Sequence, residues 1–202
     1  GQKVVDVPGG SIASGAGLQL YSANGTAAQS FYFVDPKAVR AEIDKLASEN
    51  RGVIEDGDYA IVAGPVSSRM VLDVAGGSKD SGANVQLYLS NATSAQRWTI
   101  MHDDGGYLTI TNVKSGKVLD VSAGVVSPGT NVQQYSACSD ANYAQKWIAI
   151  PNGDGSVRLV SAVWQQRALD VAGGTLKSQT NVQLYTSNGT AAQCFTFIAA
   201  TP

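Results

Sequence analysis

The chain has 202 residues, 44% of them hydrophobic and 15% charged, with 22 glycines; low charge with abundant glycine implies many turns around a modest core. Its net charge of −2 supplies no basic field for nucleic acid or an acidic membrane surface, and no apolar run approaches the ~20 residues that would insert across a bilayer. Two cysteines and one histidine give neither a disulfide framework nor a metal cluster, so no cofactor is expected.

Residue 1 is not methionine and no leader pattern is visible, so the sequence reads as an internal piece of a longer protein. Residues 1–34 carry part of a repeated unit: Val5-Asp6-Val7, then Leu18-Gln19-Leu20-Tyr21, then Gln29-Ser30-Phe31. Asn24-Gly25-Thr26-Ala27-Ala28-Gln29 recurs residue for residue as Asn188-Gly189-Thr190-Ala191-Ala192-Gln193. This segment therefore reads as the end of a preceding copy. A partial repeat cannot bury its apolar face alone, so it is expected to pack on the main domain or on another chain.

Residues 35–55 form a helical linker. Asp35 is placed to cap, Pro36 to open the first turn, and Val39, Ile43 and Leu46 give one apolar stripe. Gly52 is the expected stop.

Residues 56–202 hold three complete units. Each opens with a short strand, at Asp58–Val62, Tyr107–Ile110 and Ser156–Val160. A Leu-Asp-Val strand follows (Asp73, Asp120, Asp170), then a Gly/Ser-rich loop, a Gln-x-Tyr strand (Gln86 and Tyr88, Gln133 and Tyr135, Gln183 and Tyr185) and a Gln-x-Trp/Phe strand (Gln96, Gln145, Gln193). The step from aspartate to first glutamine is 13 in every copy (86−73, 133−120, 183−170 and 19−6), and the aspartates lie 47 and 50 apart (120−73, 170−120). Such a period marks one supersecondary unit used several times. Four short strands per unit give about twelve strands, and three such units close into a pseudo-threefold barrel capped by hairpins, which removes exposed edges.

The Asp…Gln-x-Tyr…Gln-x-Trp repeat resembles the ricin B-chain type β-trefoil lectins over all of 56–202 and partly over 1–34. The resemblance implies an all-β fold of three four-stranded repeats, a β-trefoil, here preceded by a partial repeat and one connecting helix. It also implies one shallow sugar site per repeat. There the aspartate accepts from two sugar hydroxyls, the aromatic stacks on the sugar's apolar face, and the tail glutamine completes the polar ring. Carried over by position, the sites are Asp73, Gln86, Tyr88 and Gln96; Asp120, Gln133, Tyr135 and Gln145; and Asp170, Gln183, Tyr185 and Gln193. The physics suits a neutral polyhydroxylated ligand, since a carboxylate is an acceptor that can hold adjacent hydroxyls and an aromatic plane covers C–H surface.

This chain departs from the family at the asparagine before the tail glutamine, which is Ala95, Ala144, Ala192 and, in the partial repeat, Ala28. Asn84, Asn131 and Asn181 are alternative contributors. Trp98, Trp147 and Phe195 read as core. Asn24, Asn91 and Asn188 read as turn formers, and His102 as part of a surface turn. Cys138 and Cys194 read as two partly buried thiols, with one bridge as the alternative. The first and third units keep the pattern best; the second has an apolar loop from Ala123 and a longer tail loop.

The resemblance implies a non-catalytic module of a larger secreted or cell-surface protein that binds glycans, either of galactose type or from cell-wall and plant polysaccharides. The alternative is a protein-interaction or spacer trefoil. A glycosidase needs two carboxylates facing each other across one cleft, whereas these acids recur once per unit, and one histidine in a turn builds no Ser/His/Asp set.

Overall fold

The computed structural model describes residues 1–11, 16–31, 33–139, 142–164 and 166–200. The chain divides into two compact units, Gly1–Arg40 and Ala41–Pro202.

In the first unit β1 (Lys3–Asp6) and β2 (Gln19–Ser22) pair antiparallel, with Asp6 opposite Gln19. The apolar residues of this hairpin lie largely in the open: Leu18, Leu20 and Phe33 are 66%, 70% and 100% exposed. Their counterparts 164 positions on (Val182, Leu184 and Phe197) sit in or against the core of the second unit, so the same sequence pattern serves a buried face there and an open one here.

Helix α1 (Pro36–Glu49) begins as its residues dictate: Asp35 Oδ1 accepts from the Lys37 amide at 2.9 Å. Of the expected stripe only Ile43 is fully buried, joined by Ala47. Gly52 does not end the helix. The chain turns at Asn50, whose Nδ2 donates to the Leu46 carbonyl at 2.8 Å, and Gly52 lies in the short 3-10 turn Arg51–Val53 that follows. A side-chain amide satisfies an orphan carbonyl of the last turn as effectively as a left-handed glycine does. Within the second unit the helix is held by Tyr107, whose hydroxyl donates to Asp44 Oδ1 at 2.5 Å, and by close backbone approach: a Cβ on Gly106 would stand 2.6 Å from the Ala47 carbonyl oxygen.

Among the described residues twelve strands follow: β3 (Gly57–Ala63), β4 (Met70–Val74), β5 (Val85–Leu89), β6 (Trp98–His102), β7 (Leu108–Asn112), β8 (Val118–Val121), β9 (Thr130–Tyr135), β10 (Trp147–Pro151), β11 (Val157–Ser161), β12 (Arg167–Val171), β13 (Val182–Thr186) and β14 (Phe195–Ala199). The pairings β3–β6, β6–β7, β7–β10, β10–β11, β11–β14 and β14–β3 close a ring. The remaining strands form the hairpins β4–β5, β8–β9 and β12–β13, one per unit. This is the β-trefoil expected from the repeats. His102 corrects the turn reading: it closes β6, and its Nδ1 lies 2.6 Å from Asp56 Oδ1.

The core is set by the aromatic of each tail motif. Trp98, Trp147 and Phe195 are completely buried. The two indoles also bind backbone, Trp98 Nε1 donating to the Leu72 carbonyl at 3.1 Å and Trp147 Nε1 to the Leu119 carbonyl at 3.2 Å. Each ties the ring strand of a lobe to the strand just before its aspartate. Trp147→Phe leaves the Leu119 carbonyl buried without that donor, and a loss of about 1–3 kcal/mol is expected in chemical denaturation. Trp147→Ala adds a cavity and is expected to cost about 3–5 kcal/mol.

Candidate functional site

The 13-residue step is a hydrogen bond. Aspartate and glutamine stand opposite each other across the cap hairpins, as Asp73–Gln86, Asp120–Gln133 and Asp170–Gln183. In each pair the glutamine Nε2 donates to the aspartate Oδ1, at 3.2, 2.9 and 2.9 Å. The tail glutamine comes from the far side. Gln145 and Gln193 donate to the second oxygen of Asp120 and Asp170 at 3.0 and 3.2 Å, and Gln96 acts on Asp73 in the same sense.

The tail glutamines are fixed in turn by backbone. Gln96 donates to the Leu89 carbonyl, Gln145 to Ser136 and Gln193 to Thr186. Their Oε1 atoms accept from the amides of Asn91, Cys138 and Asn188. Gln96, Gln145 and Gln193 thus lie behind the carboxylate as its clasp, while Gln86, Gln133 and Gln183 reach the pocket surface.

Asp73, Asp120 and Asp170 are only 6%, 5% and 4% exposed. Burial pushes the carboxyls of Asp73 and Asp120 above the ordinary 3.8. The glutamine donors oppose that shift by favouring the charged form, and at Asp73 Lys114 opposes it too. An ionised carboxylate offers about four acceptor positions. The two glutamines take two.

Above each acid an open cavity is found, of about 400, 490 and 490 Å3 for the first, second and third lobes. Each is lined by the aspartate, the strand glutamine and the tyrosine of its lobe. Tyr135 and Tyr185 are 42% and 40% exposed and Tyr88 is half-buried, so the rings are walls with a free face. The second lobe has the same arrangement as the other two, despite its apolar loop.

Several lining residues were not read as ligand groups from the sequence. Asn91 and Asn188 line the first and third cavities. They make the expected turns, Oδ1 accepting from the amides of Thr93 and Thr190 at 3.1 Å, but among the described residues their Nδ2 groups donate to no protein atom. The first and third lobes thus carry an amide donor at the rim even though Ala95 and Ala192 stand at the position before the tail glutamine. Asn142 lines the second cavity, three residues before its tail glutamine, where the other lobes have Thr93 and Thr190. Lys114 and Gln179 reach the first cavity from neighbouring lobes, which no single repeat could reveal. Asn84, Asn131 and Asn181 lie elsewhere. They meet one another across the lobes, Asn84 Nδ2 donating to Asn181 Oδ1 at 2.9 Å and Asn181 Nδ2 to Asn131 Oδ1 at 3.0 Å, because each faces the first glutamine of an adjacent hairpin. Cys138 and Cys194 are free, the former exposed.

Residues 1–88, 45–135 and 94–185 each match the model of the ricin-type beta-trefoil lectin domain-like family. The chain belongs to that family. Among solved structures it is similar to ThreeFoil, a designed 3-fold symmetric protein (33% identity, 72% of this chain and 100% of that one, TM-score 0.67). It is also similar to an exo-beta-1,3-galactanase from Clostridium thermocellum (29% identity, 72% of this chain but 31% of that one, TM-score 0.66). A third similar structure is the Rhizoctonia solani agglutinin (25% identity, 73% and 97%, TM-score 0.64). No curated protein matches the sequence.

One local difference within the symmetric set is testable. The loop after each aspartate strand passes through the left-handed region at Gly76 (φ 62°) and Gly173 (φ 63°), but the second lobe places Ala123 there (φ 54°). A Cβ in that region costs about 1–2 kcal/mol, of which the greater freedom of unfolded glycine returns part. Ala123→Gly is expected to stabilise the protein by about 0.5–1 kcal/mol in thermal or urea unfolding.

Proposed function

We propose that the chain is a non-catalytic carbohydrate-binding module. Each of its three cavities takes a neutral sugar residue of a larger glycan, the clasped aspartate accepting two hydroxyls and the tyrosine stacking on the C–H face. The observation that carries this reading is the recurrence in three lobes of a buried carboxylate held by glutamines beneath an open cavity with an aromatic wall. Keeping a carboxylate out of water is costly, and a fold needing only a strand–strand contact there has cheaper choices. The residues taken to face the sugar are Asp73, Gln86 and Tyr88 with their equivalents in the second and third lobes, and Gln96, Gln145 and Gln193 are taken to position the acids from behind.

Membership of a lectin-like family supports sugar as the ligand class. Likeness to part of a galactanase supports galactose-type polysaccharide, and the free amides of Asn91 and Asn188 supply the donor that the alanines omit. The expected setting is a larger secreted or cell-surface protein, in which shallow sites act together through effective concentration. Residues 1–34 are read as a partial trefoil repeat.

A glycan array and a galactan pull-down with the whole chain test the proposal. Binding is expected to fall at least tenfold when Tyr88→Ala, Tyr135→Ala and Tyr185→Ala are combined. Absence of binding to every glycan would favour the protein-interaction or spacer reading instead.

Acid separates ligand binding from folding. Protonating Asp73 or Asp120 removes an acceptor, so affinity is expected to fall with pH already above the ordinary carboxylate range. Stability runs the other way. With the folded carboxyl raised above its unfolded value, the folded state binds more protons in the window between the two, so stability drops as pH rises through it. Weaker binding without a lower melting temperature on mild acidification is the expected pair of results, read by calorimetry at stepped pH.

A further inference from the structure

The first cavity differs from its two copies in what reaches it from other lobes. The first strand of each lobe sets one residue opposite the tail aromatic of a neighbour: Asn112 faces Trp98, Ser161 faces Trp147 and Ala63 faces Phe195. Two positions further on stand Lys114, Val163 and Pro65, so this place in the turn carries a charge in one lobe of the three. The turn is fixed from below. Asn112 is completely buried. Its Nδ2 donates to the Ala95 carbonyl at 2.9 Å, beside the tail glutamine of the first lobe, and its Oδ1 accepts from the Lys114 amide at 3.1 Å. From there the Lys114 side chain crosses the loop after Asp73, so close over Gly77 that a Cβ on that glycine would collide with Nζ. Among the described residues the ammonium enters no ion pair, although it is near enough to favour the ionised form of Asp73. An ammonium has three donors and no acceptor, and here they stand at an open cavity.

The third lobe sends a second group. Gly82, Gly129 and Gln179 occupy one position in the three hairpin loops, their amides donating to the carbonyls of Gln134, Leu184 and Leu87 in a neighbouring lobe at 2.8, 2.8 and 2.7 Å. All three are left-handed, with φ of 84°, 88° and 70°. Glycine adopts that conformation almost freely and a residue with a side chain does not. The copy that keeps a side chain at this cost is the one that lines the first cavity. The charges differ in the same sense. Among the described residues the second and third cavities are lined by one charged group each, Asp120 and Asp170, whereas the first has Lys114 as well as Asp73. A ligand that satisfies both needs hydroxyls for the acid and an anionic group for the ammonium.

We infer that the first cavity selects an acidic glycan: a neutral residue lies over Asp73, a carboxylate or sulfate on that sugar or the adjoining one pairs with Lys114, and Gln179 bonds the hydroxyls beside it. The inference rests on the proposed function and narrows it for one lobe, and the test separates the two. The full chain is titrated with two acidic probes, glucuronosyl-β-1,6-galactose and 6-O-sulfated β-1,3-galactobiose, and with their neutral parents, the methyl ester and the unsulfated disaccharide. The side-chain amide signals of Gln86, Gln133 and Gln183 report the three cavities separately by NMR. At Gln86 an acidic probe is expected to bind about three- to fivefold more tightly than its parent, the size an exposed ion pair supplies, and the probe that does so tells carboxylate from sulfate. At Gln133 and Gln183 no such preference is expected. Lys114→Gln is expected to bring the ratio at Gln86 to about one, Lys114→Arg to keep it, and added salt to narrow it. Gln179→Gly is expected to raise the melting temperature while weakening binding at Gln86; a raised melting temperature with unchanged affinity overturns the part given to Gln179. Equal ratios at all three amides, or a preference at Gln86 that survives Lys114→Gln, overturn the inference and leave the proposed function standing. If no probe, acidic or neutral, moves any of the three amides, the proposed function falls and the inference with it.

Discussion

The carboxylate held between two glutamines organises this molecule. One glutamine comes from across a hairpin and the other from the turn before the next ring strand, so a single acid ties together three segments of its lobe. The bonds run through side-chain amides, which leaves the backbone ladder intact and the acid's outer lone pairs uncommitted. Amide donors also favour the charged form against burial. The arrangement is therefore both a structural joint and an acceptor directed at a cavity, and the two roles use different oxygen lone pairs.

Closure makes the joint repeatable. A ring of strands drawn from all three units leaves no open edge, and each unit contributes one hairpin to the cap with its acid and tyrosine in the same register. The buried tail aromatics enforce that register. Slipping a strand by one residue would carry Trp98 or Trp147 to the wrong face and break the indole bond to the backbone. Several of the differences between lobes that bear on the cavities lie in loops. Ala123 replaces a glycine, Asn142 replaces a threonine, and Lys114 and Gln179 cross from neighbouring lobes into the first cavity. A positive charge there makes the first site chemically distinct from the other two.

The fold was legible because its strongest signal is periodic. The constant step of 13 is a cross-strand pair, and a spacing of that kind survives changes in loop sequence. What escaped the sequence has physical causes. The tail glutamines recur as faithfully as the acids, and recurrence alone does not say whether an amide faces a ligand or the acid behind it. Asn91 and Asn188 were accounted for by turn formation, which uses only their oxygen. Asn84, Asn131 and Asn181 meet across lobes, a contact that no single repeat contains. His102 follows Met101 in a run that reads as a turn, yet bonding to Asp56 carries β6 one step further. Gly52 looked like a helix stop because Asn50 can do the same work with its side chain.

The central claim is that the clasped acids face a ligand as well as the fold. It is tested most directly by following the side-chain carboxyl carbons of Asp73 and Asp120 by NMR as pH is lowered, with and without bound β-1,3-galactobiose. Hydroxyls donating to these oxygens favour the charged form, so both carboxyls, raised above 3.8 in the free protein, are predicted to titrate at lower pH when the sugar is bound. Titration curves that superimpose with and without bound sugar would contradict the account, because the sugar would then lie somewhere other than over the acids.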